Sequence, residues 1–102
     1  MRTKVAQSTG NVFRDVGFPP DEAAHLQIRS ELMTRLLELI RSRGLTQTQA
    51  ARLFGVTQPR VSDLARGKVE LFSIDMLVSM LARAGVRVKV VVGSPRRNVG
   101  VA

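Results

Sequence analysis

Apolar residues recur at helical spacing through most of this chain. Over 23–43, Met33, Leu36, Leu37 and Ile40 form one stripe and Gln27, Glu31, Arg35, Glu38 and Ser42 the opposite one, which predicts a long amphipathic helix. Pro19-Pro20 precedes it, and Asp21 and Glu22 suit the positive end of its dipole. Glu31 and Arg35, four apart, read as a pair on its solvated face. Gly44, Gly55, Gly67 and Gly85 each follow a helically spaced segment, where a left-handed C-terminal cap favours glycine. Thr46 with Gln49 fits a capping box opening a short second helix. Thr57 is placed to cap a third, with Pro59 in its first turn, and Ser73 a fourth over 74–84.

The fourth helix carries its polar residues Asp75, Ser79 and Arg83 on one narrow stripe, with Ile74, Met76, Leu77, Val78, Met80 and Leu81 covering most of the rest. So much apolar circumference needs burial on more than one side, and in so short a chain that predicts a subunit contact through Leu77, Val78 and Leu81. The period then changes to two. Val86, Val88, Val90 and Val92 alternate with Arg87, Lys89 and Val91, which predicts a strand over 86–92. A lone strand cannot satisfy its own backbone, so it too is expected to meet a second copy. The organisation expected is a flexible arm over 1–18, a helical domain with a dimerisation strand over 19–92, and a flexible basic tail over 93–102 containing Arg96 and Arg97. The arm offers only Val12, Phe13, Val16 and Phe18 as apolar anchors, between Gly10 and Gly17.

Composition narrows the choice of function. At 102 residues the chain has room for one modest core. It has no cysteine, which rules out thiolate metal sites and cysteine nucleophiles, and its single histidine, His25, has no ligand partners at metal spacing. With no tyrosine, no phosphate-binding loop and no carboxylate cluster, an enzyme is not expected, nor a metal or cofactor. No apolar run approaches a membrane span and residues 5–10 form no signal-peptide core, so a cytoplasmic, nucleoid-associated protein is expected. Sixteen basic residues against eight acidic ones give a net charge of +8, a field that attracts polyanions. The surplus lies late in the chain: residues 83–102 hold five basic residues and no acid, whereas 46–82 hold four against three.

The specific signal is the segment 47–66, QTQAARLFGVTQPRVSDLAR. Two short helices crossing steeply need a small residue at the close approach, and Ala51 supplies it. They need tolerance of positive φ in the turn (Gly55) and apolar anchors beneath the second helix (Val61 and Leu64), while Ala50, Phe54 and Val56 fill the space between. That spacing is the geometry of a helix-turn-helix.

This segment, with the Arg66-Gly67-Lys68 turn after it, resembles the XRE family of phage-repressor-like helix-turn-helix proteins. The run N-V-F-R-D-V-G-F at 11–18, the long first helix, Q-P-R-V-S at 58–62 and the terminal valines make the stretch from 11 to 92 similar to XRE-type antitoxins of toxin–antitoxin pairs. The resemblance implies a mainly α, lambda-repressor-like domain, here with one C-terminal β-strand, whose third helix enters the major groove of double-stranded DNA. Carried onto matching positions, Gln58 reads adenine N6 and N7, Pro59 faces a thymine methyl, and Ser62 and Asp63 follow one turn on, Asp63 facing cytosine N4 or pairing with Arg66 or Arg60. Arg60 reads guanine, clamps a phosphate or forms a local salt bridge, and Gln47, Thr57, Arg66 and Lys68 are phosphate contacts. The family often has a second polar reader where Pro59 stands, so fewer base hydrogen bonds are expected.

The function so implied is repression of transcription by a homodimer on a pseudo-palindromic operator, with a cognate toxin as protein partner, and with Val86, Val88, Val90 and Val92 joining the subunit contact. A prophage-type or stand-alone regulator without a toxin is the near alternative. A basic RNA- or ribosome-binding module is the distant one, since the four aromatics are all Phe and are not spaced for base stacking.

Overall fold

The computed structural model describes residues 12–95. In chain order its elements are α1 (Val12–Asp15), α2 (Pro20–Arg43), α3 (Gln47–Phe54), α4 (Gln58–Ala65), a 3-10 turn (Val69–Leu71) and α5 (Ile74–Arg83). Helix α2 starts at Pro20, whose missing N–H costs nothing there, has Asp21 and Glu22 in its first turn, and ends at Gly44, which donates to the Ile40 and Arg41 carbonyls. Its 24 residues span about 36 Å and form the platform for the rest. The salt bridge on its exposed face is Arg35 with Glu38 at 3.2 Å, not with Glu31, which accepts a 2.9 Å bond from Gln27.

Helices α3 and α4 have eight residues each, too few to be stable alone in water, so caps and packing hold them. The capping box is formed: Gln49 N donates to Thr46 Oγ1 at 3.1 Å and Thr46 N to Gln49 Oε1 at 2.9 Å. Thr57 Oγ1 accepts from Arg60 N, and Ser73 Oγ from Met76 N. Gly44, Gly55, Gly67 and Gly85 all adopt positive φ, as the sequence expected.

One core joins Met33 and Leu36 of α2, Ala50, Ala51 and Phe54 of α3, Val61 and Leu64 of α4, then Phe72 and, from α5, Leu77, Met80 and Leu81. Helix α5 packs on both α2 and α3. That accounts for its apolar girth within a single chain. Leu77 and Leu81, expected at a subunit contact, are 0% and 1% exposed in this chain's own core, and only Val78 of the three is half-buried.

The expected C-terminal strand is absent: among the described residues the fold is entirely helical. A strand needs a neighbour offering backbone donors and acceptors, and no described segment supplies one. The alternating valines serve a different end. Val86 N donates to Leu81 O at 2.9 Å, which turns the chain back onto α5, and Val86 and Val88 pack against the core while Arg87 and Lys89 stay exposed. Val90, Val91 and Val92 are 82%, 80% and 88% exposed.

The stretch 12–18, expected as part of a flexible arm, is folded. Helix α1 packs on α2, Phe18 N donates to Phe13 O at 3.1 Å, and the two rings meet edge to face at 6.0 Å. The rest of the arm (1–11) and Arg96 and Arg97 of the tail lie outside the described residues. Among those described, no helix is long and apolar enough to cross a membrane.

Candidate nucleic-acid interface

Helix α3 ends in a left-handed Gly55 (φ 73°, ψ 33°) whose N–H reaches the Ala51 carbonyl, and Val56 N donates to the same oxygen at 3.0 Å. A Cβ at Gly55 would stand 2.6 Å from Arg83 Cδ, so the side chain of Arg83, from the end of α5, lies across the turn. Ala51, 7% exposed, allows the close approach of α3 and α4, as its size suggested.

Helix α4 is pinned from beneath by Val61 and Leu64, 1% and 0% exposed. This leaves Gln58 and Pro59 exposed and Ser62 and Asp63 half-buried one turn on. The first turn has few amides to offer an anion. Pro59 has none, and those of Arg60 and Val61 are bonded to Thr57, which leaves the Gln58 N–H without an intrahelical partner. The Thr57 hydroxyl accepts the capping bond, yet its own proton remains free to donate.

The remaining basic and polar candidates divide into two groups. Gln47, at the start of α3, and Arg66, after α4, are exposed. Lys68 is half-buried, with its N–H on the Asp63 carbonyl at 3.1 Å. Arg60 instead turns back on the protein: Nη1 donates to Leu71 O at 3.2 Å and the guanidinium lies 5.5 Å from the centroid of the Phe72 ring. It forms no salt bridge with Asp63, and Asp63 has none with Arg66.

One residue of this region escaped the sequence reading. Arg29 of α2 donates from Nη1 to both Val69 O and Phe72 O, at 3.3 Å each, and so grips the 3-10 turn. The bonds span 40 and 43 residues, beyond any local pattern. The available signal was that Arg29, unlike Arg35, has no acidic residue three or four positions away. Among the described residues no three His, Cys, Asp or Glu are grouped to hold a metal ion.

A family model described as a helix-turn-helix domain matches residues 12–93. A solved structure described as a "Putative XRE Family Transcriptional Regulator" is similar at 32% identity with a TM-score of 0.68, over 74% of this chain and 85% of that one. No curated protein matches the sequence. A match over nearly the whole described chain, an XRE relative covered over most of its length, and an α3–turn–α4 unit with Gln58 and Pro59 exposed lead to one assignment: the chain belongs to the helix-turn-helix domain family, in its XRE type.

Proposed function

We propose that the chain is a sequence-specific DNA-binding transcriptional repressor. The observation that carries this is the outward Gln58, at the first position of a helix fixed on its opposite face by Val61 and Leu64. Its amide suits the N6 and N7 edge of adenine, Pro59 suits a thymine methyl, and Ser62 and Asp63 extend the reading by one turn. Gln47, Thr57, Arg66 and Lys68 surround this face as phosphate contacts. Gln58→Ala is expected to cost about 1–3 kcal/mol on the preferred site and relax preference at one base pair. Lys68→Ala is expected to weaken all sequences alike and flatten the log–log salt dependence by about 1. Titrations on a duplex selected from a random pool and on a scrambled duplex check both, and equal losses on the two duplexes from both variants would defeat the reading.

The repressor acts as a homodimer on a pseudo-palindrome, with recognition helices about 34–36 Å apart or a multiple of that. Its contact uses Val78 and the side chains of Val86, Val88, Val90 and Val92, of which the last two stand uncovered in the single chain. Sedimentation should find a dimer for the wild type and a shift to monomer for Val90→Asp; a wild-type monomer at high micromolar concentration rules this out.

Its partner is a toxin encoded in the same operon, which the protein neutralises while repressing that operon. Val12 and Val16, 54% and 67% exposed on the folded part of the arm, support such a docking contact. Co-expression of the adjacent gene product with the full chain should abolish toxicity, and deletion of residues 1–18 should restore it. A neighbour harmless on its own leaves a stand-alone repressor. An RNA-binding module has less support: Phe54 and Phe72 are buried, the Phe72 ring is covered by Arg60, and Phe13 and Phe18 engage one another edge to face, which leaves little ring surface for base stacking.

A further inference from the structure

We propose that Arg60 is a positioning residue and not a reader: with Arg29 it brackets the 3-10 turn against α4 and α2, and thereby fixes Lys68 relative to Gln58. This rests on the DNA-binding reading above and names what regulates its geometry. Lys68 sits between two anchors, its N–H on Asp63 O at 3.1 Å and its carbonyl receiving Leu71 N at 3.0 Å. The first anchor ties it to α4 and the second to the turn that follows. That turn is one 3-10 unit of three residues, closed by Leu71 N on Lys68 O and Phe72 N on Val69 O; these local bonds fix its shape but do not tie it to α2.

The two arginines supply what the turn lacks. Arg60 reaches Leu71 O from one side, and Arg29 reaches Val69 O and Phe72 O from the other. These are charge-assisted bonds, and one of the three carbonyls, Val69 O, also receives Phe72 N at 3.1 Å. Phe72, 2% exposed, gives the Arg60 guanidinium a fixed surface to lie on, so its direction is set by the ring as well as by the bond. An ammonium has no planar fork and meets both demands poorly. Arg60→Lys therefore keeps the charge at this position but loses the bracket.

That difference makes the proposal testable with the full chain and a duplex selected from a random pool. Affinity is measured against salt for wild type, Arg60→Lys, Lys68→Ala and the double variant. Arg29→Gln serves as the second entry to the same cycle, and thermal melting checks that each variant is folded. If Arg60 positions Lys68, Arg60→Lys flattens the salt slope by about 1 although no charge is lost, and Lys68→Ala then adds little further. Arg29→Gln behaves likewise. Four results overturn it. An unchanged slope with relaxed preference at one base pair makes Arg60 a base reader. An unchanged slope and affinity with a lowered melting temperature makes the bracket a matter of stability alone. Full additivity with Lys68→Ala makes the two residues independent. A Lys68→Ala variant with the wild-type slope removes Lys68 from the phosphates and this inference with it, while Gln58→Ala still decides the DNA-binding reading separately.

Discussion

Phe54→Ala should lower the free energy of unfolding by about 3–5 kcal/mol and abolish DNA binding at temperatures where the wild type binds fully. Phe54 is 1% exposed and closes α3 immediately before the Gly55 turn. Its ring shares the core with Leu36 of α2 and with Leu77 and Leu81 of α5. Deleting it leaves a cavity where three helices meet, and neither α3 nor α4 is long enough to persist without that support. Small domains have only about 5–15 kcal/mol in total, so most of the folded population is at stake near body temperature. Urea titration followed by circular dichroism gives the difference directly. A loss below about 1 kcal/mol would mean that the ring is not a core member.

A second large effect is expected at Gly55, and it has two separable parts. A side chain at φ 73° is strained by about 1–2 kcal/mol wherever it occurs. Gly44 has nearly the same φ, 61°, and nothing within 4 Å of the added Cβ, so Gly44→Ala measures the strain alone. At Gly55 the new methyl also meets Arg83, with Cδ, Nε and Cζ all within 2.9 Å. Arg83 is exposed and can move, but only by leaving the turn it covers. Because those atoms are the far end of a flexible side chain, Gly55→Ala should exceed Gly44→Ala only modestly, and the excess should vanish in an Arg83→Ala background. Equal losses from the two alanines in the native background would show that Arg83 does not hold the turn.

What the sequence made legible follows from the range of each interaction. Thr46 and Gln49 are three residues apart, Thr57 and Ser73 cap the helices they adjoin, and the glycines answer to the backbone at their own positions; such local choices can be read from a few neighbouring letters. The long stripe of α2 and the 51/55/61/64 spacing were legible for the same reason. The misreadings came where the answer lay elsewhere in the chain. Alternation at 86–92 looks the same whether it feeds a sheet or lays Val86 and Val88 onto a helical core, and the missing partner strand decides. The girth of α5 spoke of burial without saying by what, and α2 and α3 provide it. At the candidate site, the exposure of Gln58 and Pro59 agrees with the helical spacing of Val61 and Leu64. The direction of Arg60 could not be foreseen, because it depends on Leu71 and Phe72 arriving beside α4 through a turn with no strong signal of its own.

The side chains of Gln58, Pro59, Ser62 and Asp63 make none of the bonds that hold α4, which depends on Thr57, Val61 and Leu64 beneath and before it. Substitutions at those four places should therefore alter folding stability by no more than about 0.5 kcal/mol in most cases. A scaffold arranged in this way separates its vocabulary from its architecture. On the proposed reading, in which these four side chains meet the bases, a lineage carrying it can exchange one operator for another by a few single-codon steps, each passing through a folded protein, with no compensating change in the core.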